Sequence, residues 1–189
     1  MTLYSLVLFA HITSVLALFA CLSLEALSLF RLRRASTLSD IQPWIESLPG
    51  LSGVALGSML VILFSGIYMA IQLSGFGLAW IDVTMGALLL MAPLGAVAGR
   101  RMRDIRRLSA SNQKDQPKLL DLLQHPFLKI SLDIRIAVFL GIVLLMTAKP
   151  NLIESLSIIG VSVAVGLAAA LFRPNRKPAL STADTGARP

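Results

Sequence analysis

Apolar residues fall into five long runs, at 3–29, 51–73, 78–98, 130–148 and 153–172, with polar residues gathered in the stretches between them. A bilayer core about 30 Å thick is crossed by roughly 20 apolar residues in a helix, so each run predicts one transmembrane helix. The pattern therefore predicts an all-α polytopic bundle, with residues 1–172 as a single five-helix domain. Beyond it, 173–189 is rich in Pro, Ser, Thr and Lys/Arg and has no apolar period, which predicts a disordered basic tail.

The links between runs carry their own signals. Ser39-x-x-Gln42 has the form of a capping box, and with Trp44 it predicts a short helix at headgroup level that Pro49-Gly50 ends. Leu119, Leu120, Leu122, Leu123 and Phe127 alternate with Lys118, Asp121 and Gln124, the spacing of an interfacial helix leading into span four. Trp80 opens span three from the other face, where an indole anchors at the interface.

Composition agrees with a lipid solvent: 56% of the 189 residues are hydrophobic and 14% charged. The net charge of +7 would point to nucleic acid on a soluble surface, but here the basic residues sit in the short links. Fifteen of the 17 Lys and Arg follow the first, third and fifth runs, from Arg31 to Arg34, Arg100 to Lys129 and Arg173 to Arg188. By the positive-inside rule that side faces the cytoplasm, giving an outside N-terminus and a cytoplasmic C-terminus in a bacterial inner membrane. Basic residues so placed meet anionic lipid, and no nucleic-acid partner is expected.

Cys21 is the single cysteine, which excludes an intrachain disulfide and any CxxC motif. Leu18-Phe19-Ala20-Cys21 has a faint likeness to a lipoprotein cleavage site, but residues 1–10 hold no Lys or Arg, so the first run reads as a retained span.

Small residues supply the packing signals. Gly53 and Gly57 form a GxxxG in span two and Gly95 and Gly99 another in span three, while Gly160 and Gly166 flank small residues in span five. Such faces bring helix backbones close, either within the bundle or against a second copy or membrane partner. Pro93 is expected to bend span three.

Six ionisable residues lie in or at the edges of the spans: His11, Glu25, Asp82, Asp133, Arg135 and Glu154. Ionised groups at mid-span cost about 2.5–3.5 kcal/mol to insert, so each is expected to have a partner or a cavity. In span one, Tyr4, His11, Ser14, Cys21, Glu25 and Ser28 recur at helical spacing, and that face is expected to look into the bundle. His11 lies about 12 Å from its end of the helix, near the depth of Tyr68, Met69, Asp82, Thr84, Met85 and Met146. An imidazole among thioethers suits copper or haem iron, whereas a lone histidine among hydroxyls more simply hydrogen-bonds one of them. Glu25 and Arg135 lie at equal depth near the basic side and are expected to pair, tying span one to span four or relaying protons. His125 is nearly a bilayer thickness from His11 and cannot share a ligand with it. No nucleophile triad, phosphate loop, HExxH or paired-carboxylate motif is present.

The run Leu6-Val-Leu-Phe-Ala-His11, the segment Ser65-Gly-Ile-Tyr-Met69, Trp80 and the run from Gly141 to Pro150 resemble a family of bacterial multi-pass membrane proteins defined by sequence, over residues 1–172. That resemblance implies architecture and location. A histidine in span one, a glycine in span two, Trp80 and Lys149-Pro150 are more distantly similar to the four-helix protoporphyrinogen oxidases, which bind haem, and to the copper-resistance D permeases. Where the oxidases have a lysine after the tryptophan this chain has Ile81-Asp82-Val83-Thr84, and only His11 carries over, as a haem ligand. Three roles follow as expectations: a structural or partner subunit, a haem- or copper-binding redox accessory built on His11, and a small-molecule or ion permease built on Glu25, Asp133 and Arg135.

Overall fold

A computed structural model describes residues 2–34, 50–73, 77–110 and 126–172. Five helices account for nearly all of them: α1 (Leu3–Arg34), α2 (Leu51–Leu73), α3 (Ala79–Ala110), α4 (Pro126–Ala148) and α5 (Leu152–Phe172). Each is long and apolar enough to cross a membrane. The helix expected around 39–48, most of the one around 118–127 and the tail at 173–189 lie outside the described residues.

Helix bounds overrun the apolar runs at the basic side. α1 continues through Arg31 to Arg34, and α3 continues from Ala98 through its arginine cluster to Ala110. At 32 residues each they are about 48 Å long, more than the hydrocarbon core requires, so their basic ends reach past it. Apolarity marks where lipid begins and ends, whereas a helix ends only where its backbone hydrogen bonds find no continuation. α4 likewise starts early, at Pro126, with proline in the first helical position where its missing N–H costs nothing.

Chain ends of the helices are closed locally. Asn151 and Glu154 form a reciprocal capping box at the start of α5: the Glu154 amide donates to Asn151 Oδ1 at 3.0 Å, and the Asn151 amide donates to Glu154 Oε2 at 3.2 Å. Lys149, with φ of 49°, takes the left-handed cap position after α4, and its amide donates to the Leu145 carbonyl. Its ammonium lies 6.0 Å from the Trp80 ring centre at the head of α3. The lysine after span four and the tryptophan before span three are therefore neighbours.

Helices α1 to α4 form a ring in which each touches the next and α1 closes onto α4. α5 lies outside, packed on α4 and more lightly on α3. The ring encloses an apolar centre that includes Leu18, Leu22, Ile62, Leu88, Leu132 and Phe139. Large apolar side chains also cover the outside, among them Phe9, Phe64, Leu90, Ile153 and Leu171. A surface this apolar is stable in lipid and not in water.

Glycines set the closest approach. A Cβ at Gly166 of α5 would stand 2.8 Å from Ile134 Cα and 3.0 Å from the Asp133 carbonyl oxygen, so α4 and α5 meet backbone to backbone there. Gly99 of α3 seats Ser52 of α2, whose Oγ is 3.3 Å from the position a Cβ would take. Around Gly53, Gly57 and Gly160, by contrast, there is open space. Of the two GxxxG pairs, the one in α3 is used inside the bundle and the one in α2 faces outward.

Candidate functional site

The polar face of α1 turns inward. His11, Cys21 and Ser28 are buried and Glu25 is largely so, while Tyr4, at the helix start, is exposed. Two polar centres result, 14 residues apart along α1 and thus separated by about 21 Å.

The first joins α1 to α4. Arg135 grips Glu25 with both terminal nitrogens, Nη1 to Oε2 at 3.0 Å and Nη2 to Oε1 at 2.5 Å. This fork-to-fork geometry is the strongest a guanidinium and a carboxylate adopt. Arg135 is held in place from behind, because its Nε donates to the Ser131 carbonyl one turn earlier at 3.3 Å. Ser131 Oγ in turn donates to the Leu94 carbonyl of α3 at 3.2 Å, next to Pro93. Gly95 leaves room for the arginine: Nη1 lies 3.8 Å from where a Cβ would be. Three helices thus converge on one ion pair.

That pair forms part of the wall of a cavity of about 320 Å³. The cavity lies among α1, α2 and α3 and runs from Leu18, Met59 and Met91 near mid-span to Leu32, Leu51 and Arg103 at the basic end. Its wall is mostly aliphatic and thioether, with Glu25, Ser28 and Arg135 forming a polar strip. At the basic end it is flanked by Arg100 and Arg103, both exposed and neither paired with a carboxylate among the described residues. The volume is at the small end of the range for small-molecule sites.

The second centre is His11. Its Nδ1 lies 2.8 Å from Ser65 Oγ of α2, and that hydroxyl also donates to the Val61 carbonyl, so the imidazole nitrogen takes part as the donor. Gly66 lets the ring approach: His11 Cε1 and Met85 Cε of α3 are each 3.6 Å from the place of a Gly66 Cβ. The imidazole is therefore packed between α2 and α3, away from the cavity. Of the neighbours expected from depth, Met85 is present. Thr84 instead bonds the Trp80 carbonyl, Tyr68 accepts from Gln72, and Asp82 and Met146 are exposed.

Among the described residues His11 would offer haem iron a single nitrogen, Nε2, since its Nδ1 is engaged with Ser65. A copper ion would find one imidazole and one thioether, short of the donor sets that copper centres use. Among the described residues no group of three or more His, Cys, Asp or Glu side chains converges.

The remaining intramembrane acids go elsewhere. Asp82 lies exposed in the first turn of α3, where the helix dipole favours a negative charge. Asp133 stands at the α4–α5 contact and not in the cavity wall. His125 is outside the described residues.

Sequence reasoning missed Ser65 and Ser131, the two serines that orient His11 and Arg135. The second carried a signal, standing one helical turn before Arg135. It also missed the cavity, and with it the role of Arg100 and Arg103 as part of a concave wall. No family of known proteins, no curated protein and no solved structure matches the chain.

Proposed function

We propose that this chain is a bacterial cytoplasmic-membrane protein, its basic end in the cytoplasm, that binds a small amphiphilic molecule in the cavity among α1, α2 and α3 as a carrier or permease. The observation that carries this reading is the cavity itself: an elongated apolar volume of about 320 Å³ with a charged strip along one side and arginines at one end. Membrane bundles ordinarily fill such space, because voids forfeit the dispersion contacts that hold apolar helices together in lipid. A polar strip along an apolar channel suits a ligand that is itself part polar and part apolar.

The test is occupancy. Mass spectrometry of the gently purified protein is expected to find a co-purifying amphiphile near one per chain. The double substitution Ala55→Phe and Ala92→Phe, which fills the cavity from α2 and α3, is expected to remove it while leaving helix content unchanged. A wild-type protein that carries nothing above the level of the filled variant would sink the reading.

A second role, as a partner subunit, is favoured by Gly53 and Gly57 alone. They form a GxxxG on the outward face of α2 with open space before them. Cross-linking in native membranes through cysteines placed at Val54 and Val61 tests it, with a shift to a discrete larger species as the supporting result.

A further inference from the structure

We infer that the cavity takes an amphiphile with an acidic head group, carboxylate or phosphate, and admits it sideways from the bilayer between α2 and α3; this rests on the cavity being a binding site. Four lining residues are exposed, and all belong to those two helices: Leu56 on α2, and Ala96, Arg100 and Arg103 on α3. Lining residues of α1 and α4 are buried or largely so. The cavity therefore reaches the outside along the α2–α3 seam and not through the α1 side.

Two glycines mark close approaches along that seam. Near the basic end Ser52 seats on Gly99, and farther along Met85 reaches Gly66. These points lie 14 residues apart on both helices, about 21 Å. Leu56 and Ala96 fall between them, and so do Met59 and Ala92, the lining residues behind. The exposure of Leu56 and Ala96 between those approaches makes a lateral window onto the hydrocarbon, which an amphiphile already dissolved in the leaflet would enter without first crossing water.

Shape and charge narrow the ligand. From Leu18 to Leu32 the cavity extends along α1 for about 21 Å, long enough for an extended hydrocarbon chain. At the basic end, Arg100 and Arg103 add two positive charges that the ion pair of Glu25 and Arg135, neutral as a unit, does not offset. Guanidinium groups bind carboxylate and phosphate through parallel N–H bonds, so they select an acid over an alcohol or an ammonium at equal chain length.

The full chain in phosphatidylcholine nanodiscs, probed with radiolabelled myristate, tests this. Myristate and tetradecyl phosphate are expected to compete at comparable concentrations, while tetradecanol and tetradecyltrimethylammonium require at least tenfold more. Arg100→Gln with Arg103→Gln is expected to weaken myristate about tenfold and leave tetradecanol unchanged. Arg100→Lys with Arg103→Lys, which keeps the charge but not the fork, is expected to weaken myristate less than the glutamine pair does and shows that the helix end is intact. Leu56→Trp with Ala96→Trp is expected to slow uptake from the bilayer more than tenfold. Equal binding of acid and alcohol would overturn the acidic head group, and an unchanged uptake rate in the tryptophan variant would overturn the window. Failure of every probe to bind wild-type protein above the filled variant would strike the cavity reading instead.

Discussion

Removing the carboxylate of Glu25 while leaving Arg135 in place would strand a guanidinium whose side chain is 7% exposed in the middle of a lipid-facing bundle. Broken buried pairs cost more than their net worth when intact, because the orphaned charge keeps its full desolvation penalty. Glu25→Leu is therefore expected to destabilise the protein by about 3 kcal/mol, the low end of the range for buried pairs, since the cavity beside it can admit water. Arg135→Met together with Glu25→Leu is expected to recover most of that loss in a thermal-unfolding assay in detergent. If the double variant is no more stable than Glu25→Leu alone, the pair is not what the single change disrupts. Ser65→Ala is a milder case. It deprives His11 of its partner and is expected to cost about 1 kcal/mol, read in the same assay.

Among the elements, the α4–α5 hairpin packs closely at two glycines, Gly141 against Ser162 and Gly166 against the α4 backbone. A methyl group at Gly166 would meet backbone atoms of Ile134 and Asp133, which cannot rotate away. Gly166→Ala is expected to cost about 1–3 kcal/mol, as overpacked sites do, whereas Gly53→Ala and Gly57→Ala, facing open space, stay within about 0.5 kcal/mol of wild type. Denaturation of the three variants side by side separates the outcomes, and equal losses would mean that α5 does not dock at Gly166. The same hairpin depends on its cap. Asn151→Ala removes the side-chain oxygen that the Glu154 amide donates to and is expected to cost about 1 kcal/mol. Sequence reading took Glu154 as one more intramembrane charge, although Asn151-x-x-Glu154 has the form of a capping box. Depth along a helix was legible too, and it brought Glu25 and Arg135 to the same level before any helix was placed beside another.

For the whole molecule, the separation of charge from apolar surface fixes one axis. Lys and Arg cluster at the end where α1, α3 and α5 finish, and we propose from the positive-inside rule that this end lies in the cytoplasm. Reporter fusions after Ala110 are expected to be active only as cytoplasmic reporters, and fusions after Lys149 only as periplasmic ones. The opposite result would invert the bundle and place Arg100 and Arg103 in the outer leaflet, although it would leave the cavity and its window intact.

Five spans, their lengths and the segregation of basic residues are determined by the sequence alone, because transfer of a helix into hydrocarbon depends on its own composition and not on its neighbours. Apart from the inward polar face of α1 and the tie from Glu25 to Arg135, which helices touch was decided only in three dimensions. In lipid the other helix faces are mostly apolar, so hydrophobicity does not tell a contact face from a lipid face, and the choice falls to the fit of small residues and to polar pairs. Glu25 and Arg135 are 110 residues apart in the chain, and nothing local in either segment encodes the other. The window proposed between α2 and α3 is further removed still, since it depends on how the side chains of two helices fit against each other.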